Sequence, residues 1–187
     1  MLSKISALIL KLLGWKLIGD WPDVKKFVLI AIPHTSNWDF PYGILIRKAL
    51  RRNIQYIAKD SLFQWPIGGF FRWTGGVPVD RSKNNNFVDA VVDVYNQRDE
   101  FAICIAPEGT RSNVGKLKTG FYYIAKGAGC PIVMISFDYG KRQFKVSDPY
   151  YPTDDKEADF AHIREYFKGV VGKIPAYSWG YKATSSN

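Results

Sequence analysis

Histidine and cysteine are scarce in this 187-residue chain, with two of each. Cys104 and Cys130 form no C-x-x-C pair, and His34 and His162 are too few to complete a zinc site with them. No metal is expected. The two thiols read as reduced and structural in a cytosolic setting, with a single disulfide as the alternative. Long apolar runs are missing as well. A bilayer-spanning helix needs about 20 mostly apolar residues, whereas Lys4, Lys11 and Lys16 interrupt the N-terminal stretch, which is followed by no A-x-A cleavage signal. A G-x-S-x-G elbow is lacking, so an α/β-hydrolase serine nucleophile is not expected. In "GKLKTG", residues 115–120, Leu117 stands where a phosphate loop requires Ser or Thr. Acidic residues are outnumbered, 17 against 26 basic ones, leaving a net charge of +9. That balance implies an anionic partner: nucleic acid, an acidic membrane surface or a phosphorylated small molecule.

What the chain does contain is ample apolar material, 47% hydrophobic and 16% aromatic, enough for one well-cored domain. Continuous apolar runs at 27–33, 53–59, 101–108 and 131–138 predict buried central strands. Helical patterns at 39–51, 87–97 and 117–127 lie between them. A shorter strand over 142–149 and an amphipathic helix over 154–173 follow. Strand and helix alternate, which predicts an α/β single domain with a mostly parallel or mixed central sheet flanked by helices.

At the N-terminus, Leu2, Ile5, Ile9, Leu12 and Leu13 share one helical face opposite Ser3, Lys4, Lys11 and Gly14. This amphipathic helix either packs on the core or lies in a membrane interface, with Trp15 or Trp21 at the boundary and Lys16 snorkelling. The expected organisation is an interfacial helix over 1–22, one main domain over 23–182 and a frayed tail over 183–187.

Polar clusters follow the strands. In open α/β sheets, functional groups collect at the carboxyl ends of strands. His34 and Asp39, in "HTSNWD", follow the first strand. A carboxylate beside an imidazole fixes its tautomer and makes it a usable general base. "SNWD" also reads as a capping box, with Ser36 as N-cap and Asp39 three residues on. "PEGTRS", 107–112, sets Glu108, Gly109, Thr110 and Arg111 in one turn suited to a polar, phosphorylated ligand. Arg81 in "VPVDR" offers a second cation, and Lys116 and Lys118 add charge nearby. Local ion pairs, Asp80 with Arg81 or Glu108 with Arg111, are the plain alternative. His162, inside the late helix, reads as surface or packing.

In order, these stretches resemble the glycerolipid acyltransferase family, which includes the 1-acylglycerol-3-phosphate acyltransferases. The blocks are His34-x4-Asp39, then Gly76 with Val79, Asp80 and Arg81, then Glu108-Gly109-Thr110-Arg111, then a looser apolar block around Pro131 and Ile132. The resemblance implies that His34 removes a proton from an acceptor hydroxyl and that Asp39 orients it. Arg81, Arg111 and Lys118 would hold the acceptor's phosphate, while Glu108, Gly109 and Thr110 shape its pocket. The implied reaction moves a fatty acyl group from acyl-CoA or acyl carrier protein to a lysophospholipid, at the cytoplasmic face of a membrane, peripherally bound. It uses no cofactor beyond the donor. Another lysolipid or an aminoacyl lipid is the alternative acceptor. A nucleic-acid module would leave the His-Asp and Glu-Gly-Thr-Arg clusters without a role, so no nucleic-acid partner is expected.

Overall fold

The computed structural model describes residues 2–79 and 87–180 of the chain. Among these residues seven strands form one sheet: β1 (Lys16–Ile18), β2 (Lys26–Ile32), β3 (Ile54–Lys59), β4 (Gly76–Val79), β5 (Phe101–Ile105), β6 (Ile132–Asp138) and β7 (Gln143–Val146). Their spatial order is β1-β7-β6-β2-β5-β3-β4. Every pairing is parallel except β6 with β7, so the sheet is mixed. Six helices accompany it: α1 (Leu2–Leu12), α2 (Asp39–Ala49), α3 (Gly68–Trp73), α4 (Phe87–Asn96), α5 (Gly120–Gly127) and α6 (Lys156–Phe167).

The continuous apolar runs are explained by burial on both sheet faces. In β2, Val28, Ile30 and Ile32 point to one core with Val91, Phe121, Ile124 and Ile163 from α4, α5 and α6. Phe27 and Leu29 point to the other, which holds Leu10 of α1, Ile46 of α2 and Val133, Ile135 and Phe137 of β6. The result is a three-layer α/β arrangement. At its centre, β6, β2 and β5 lie side by side and parallel, so the residues that leave their carboxyl ends emerge together.

Several expectations are revised. Helix α1 stops at Leu12, and Lys16, placed on its apolar face by sequence, opens β1 instead. The sheet therefore reaches back into the segment expected to be purely interfacial. Trp15 is buried, stacked on Phe144 at 4.4 Å and edge-on to Tyr139 at 4.9 Å, and Trp21 packs edge-on to Phe27. Burial takes Trp15 from the boundary position expected of it, whereas Trp21 is half-buried. The apolar face of α1 points outward: Ser6 and Leu10 are its buried residues, whereas Leu2, Ile5, Leu8, Ile9 and Leu12 are exposed. Both cysteines are free, and His162 stacks on Tyr150 at 4.2 Å, a packing role. Arg81 with Asp80, and the tail 183–187, lie outside the described residues.

Candidate active site

Two strand-end turns meet at one carboxylate, and a third is fastened to the first of them. Pro33 ends the apolar run of β2, and the turn that follows wraps around Asp39, the first residue of α2. Asp39 Oδ2 accepts hydrogen bonds from the backbone N–H groups of Thr35 and Ser36, both at 2.9 Å, and lies 3.0 Å from His34 Nδ1. Its Oδ1 accepts one from the Tyr139 hydroxyl at 2.6 Å. Tyr139 is the first residue after β6, the neighbour of β2.

This network decides between the two readings of "HTSNWD". The helix starts at Asp39 with Trp38 as N-cap, and no side chain caps it. Ser36 Oγ accepts only a 3.3 Å bond from Trp38 N–H. Of the expected box, only the half running from Asp39 back to the Ser36 N–H exists. Asp39 serves the turn and His34 together.

The electrostatics follow from these contacts. Burial pushes the Asp39 pKa up, but hydrogen bonds from His34, Tyr139 and Ser36 outweigh it and hold the pKa below its ordinary value. A carboxylate at a helix N-terminus is also favourably placed against the helix dipole. An ionised Asp39 that accepts from Nδ1–H leaves the lone pair of the His34 ring on Nε2.

Glu108 leaves the adjacent strand β5 and is 2% exposed. Its Oε2 accepts the His34 backbone N–H at 2.6 Å, while Oε1 is buried without a partner. Glu108 therefore fastens the third turn to the first, and the alternative of a local ion pair with Arg111 is not formed. Burial lifts its pKa to about 7, against the hydrogen bond from His34. Next to it, Gly109 has φ +66, and a Cβ there would stand 2.5 Å from Lys118 Nζ. Glycine is favoured there chiefly by the left-handed conformation, and a side chain would also displace the flexible end of Lys118. Lys118 is held there by its own N–H, which donates to the Pro107 carbonyl at 2.8 Å. Thr110 and Arg111 are exposed.

Behind His34 lies a cavity of about 650 Å³ between α2 and the sheet. Leu29, Ala31, Ile135 and Phe137 floor it and Ile44 and Ile46 roof it, with His34, Asp39 and Arg111 on its wall. That size fits a substrate-scale ligand, and the lining suits an apolar one. Among the described residues, no group of three or more His, Cys, Asp or Glu stands together as metal ligands.

Two contributors escaped sequence reasoning. Tyr139 is 100 positions from Asp39, and only the neighbouring placement of β6 and β2 brings them together. Residues 171–178 brace all three turns from outside. Val171 O accepts the Tyr139 N–H at 2.8 Å, the Ile174 N–H donates to Thr35 Oγ1 at 3.2 Å, and Ala176 O accepts from Asn113 at 3.3 Å.

The chain belongs to the acyltransferase family, whose model matches residues 20–138. It is 31% identical over 108 residues to human 1-acyl-sn-glycerol-3-phosphate acyltransferase beta, covering 51% of this chain and 38% of that one. It is 29% identical over 145 residues to a probable 1-acyl-sn-glycerol-3-phosphate acyltransferase of Mycoplasma pneumoniae, covering 71% and 53%. A probable counterpart from Arabidopsis thaliana is 27% identical over 121 residues, 62% of this chain and 32% of that protein. The chain thus spans between about a third and a half of the length of these three relatives. The fold resembles the crystal structure of PlsC, the 1-acyl-sn-glycerophosphate acyltransferase of Thermotoga maritima, with a TM-score of 0.59 at 20% identity over 88% of this chain and 74% of that one.

Proposed function

We propose that this protein transfers a fatty acyl group from an acyl thioester to the hydroxyl of a lysophospholipid such as 1-acylglycerol 3-phosphate. The single observation that carries the reading is the His34–Asp39 pair on the wall of an apolar cavity. His34 Nε2 takes the proton of the acceptor hydroxyl as its oxygen attacks the thioester carbonyl. The tetrahedral adduct collapses, the C–S bond breaks, and the departing thiolate receives the proton from His34. The new bond is an ester and the released product is a free thiol. Asp39 holds the tautomer and stabilises the imidazolium between the two transfers.

Direct transfer needs no nucleophile from the protein, and substitution at a carbonyl moves no electrons to a cofactor. The acyl chain lies in the cavity beneath α2. Arg111 and Lys118, with Arg81, hold the acceptor's phosphate, and Glu108 and Gly109 shape the turn that carries them. No helix among the described residues is long and apolar enough to cross a membrane. In this reading α1, with its apolar residues outward and Lys4 and Lys11 exposed, rests peripherally on an anionic, cytoplasm-facing surface.

The test is a matrix of donors and acceptors: acyl-CoA and acyl carrier protein of equal chain length, each against lysophosphatidate, other lysolipids and an aminoacyl lipid. Mass analysis of the product identifies the acylated hydroxyl. A diacylglycerol 3-phosphate product supports the reading. Acylation of an uncharged lysolipid alone would remove the phosphate-holding role from Arg111 and Lys118.

A further inference from the structure

Four apolar side chains within residues 65–73 stand clear of the protein. Trp65 is 93% exposed, Trp73 65%, Phe70 53% and Ile67 50%. Single exposed apolar residues are ordinary on a protein surface. Four in so short a stretch, two of them tryptophans, form a patch that marks an interaction site.

Its setting is basic. Arg72 lies within the stretch, and Lys48 of α2 places Nζ 4.0 Å from the Trp73 ring. Arg51 and Arg52 follow α2, and Arg51 donates to Ser3 of α1 at 3.0 Å. The basic end of α2 therefore has the outward-facing α1 on one side and the aromatic stretch on the other. From Phe40 to Val79 the sequence holds six basic residues and one acidic residue, Asp60.

We infer that residues 62–73 form a membrane-contact element additional to α1, seating in the interface of an anionic phospholipid bilayer while their inner side walls the cavity. Tryptophan rings favour the headgroup boundary, and flanking Lys and Arg meet anionic lipid. An acidic protein partner would also satisfy the cations; the bilayer is favoured because the outward apolar face of α1 flanks the same basic end of α2, so both apolar surfaces border one set of cations. The inner side consists of Leu62, Phe70 and Phe71, all of which line the cavity. Phe70 belongs to both surfaces, so the element that meets lipid also bounds the space assigned above to the acyl chain. That last link rests on the acyltransferase reading; the membrane contact itself does not.

The experiment uses the full chain and vesicles of equal parts phosphatidylcholine and phosphatidylglycerol, compared with phosphatidylcholine alone. Trp65→Ala/Trp73→Ala removes two exposed rings that do not line the cavity, and Trp65→Ala alone is the gentler control for folding. The double variant is expected to bind the anionic vesicles about ten-fold more weakly than the parent, and the single variant to fall between. Added salt weakens the parent's binding. Brominated acyl chains are expected to quench the parent's tryptophan fluorescence more than the double variant's. Thiol release from a short-chain acyl-CoA with a water-soluble lysolipid should match the parent's.

Equal vesicle affinity of parent and double variant overturns the proposal. So does a parent that dimerises, or binds acyl carrier protein, through these tryptophans without any loss of vesicle binding in the variant. Absence of thiol release from both proteins would remove the acyltransferase reading and leave the vesicle result to stand by itself.

Discussion

Tyr139 donates a 2.6 Å hydrogen bond to Asp39 Oδ1, while Asp39 Oδ2 lies 3.0 Å from His34 Nδ1. The chain that leaves β6 thus fixes the carboxylate that orients the imidazole leaving β2. Burial and the bond to Asp39 both push the Tyr139 pKa up, so the hydroxyl stays a donor across the physiological range.

Tyr139→Phe keeps the ring against Trp15 and removes only the hydroxyl. Acyl transfer is expected to fall about ten-fold, the loss of roughly 1.4 kcal/mol of transition-state stabilisation. Stability is expected to fall by about 1–2 kcal/mol, because Asp39, a charged and buried acceptor, loses a donor. Steady-state rates and urea unfolding measure the two effects. Unchanged turnover would show that the backbone donors of Thr35 and Ser36 position Asp39 without the tyrosine.

Glu108 gives stability a particular pH dependence. Its pKa is raised from 4.5 to about 7 in the folded protein. Between those values the native state retains a proton that the unfolded chain has released, so stability falls as pH rises through that interval and levels off above it. The full contribution is about 3 kcal/mol. Asp39 acts oppositely and elsewhere: its lowered pKa supplies stability above about 3.8 that is lost as pH falls further. Urea midpoints measured from pH 5 to 8 should decline for the parent, and Glu108→Gln should flatten the curve. An unchanged slope in the variant would assign the dependence to another group.

Gly43 sits inside α2 and lines the cavity, and a Cβ there would meet only Phe137 Cζ, at 4.0 Å. Gly43→Leu is expected to leave the helix intact, since glycine is the weaker helix former by about 1 kcal/mol. Its side chain fills part of the cavity. Long-chain donors should lose activity and shorter ones retain it, because each methylene left unburied forfeits about 0.8 kcal/mol. Equal losses at every chain length would place the acyl chain elsewhere.

Gly109→Ala puts a side chain at φ +66 and against the Lys118 ammonium. The conformation alone costs about 1–2 kcal/mol. If Lys118 holds the acceptor's phosphate, KM for the lysophosphatidate acceptor rises, while KM for the thioester stays near the parent value. A rise confined to the thioester would move Lys118 to the donor side of the site.

The sequence reading reached the central strands because β2, β5 and β6 are buried on both faces and read as unbroken apolar runs. It missed β1, a three-residue strand with every residue exposed, and α3, which starts on two glycines and runs for only six residues. His34, Asp39 and Glu108 were legible as strand-end polar residues in short motifs. Tyr139 and residues 171–178 were not, since their partners are brought to them by the order of strands. The aromatic segment around Trp65 carries no periodic signal, and its outward aspect emerges only once the cavity beneath it is formed.

The central claim is that His34, held by Asp39, moves the proton in acyl transfer. The most direct measurement is product formation by His34→Ala beside the parent, with acyl-CoA and lysophosphatidate at saturating concentration and matched circular dichroism spectra. The account predicts diacylglycerol 3-phosphate and free CoA in equal amounts from the parent, and a rate at least about a thousand-fold lower from the variant. Formation of the same product at the parent's rate by a folded His34→Ala protein would contradict it.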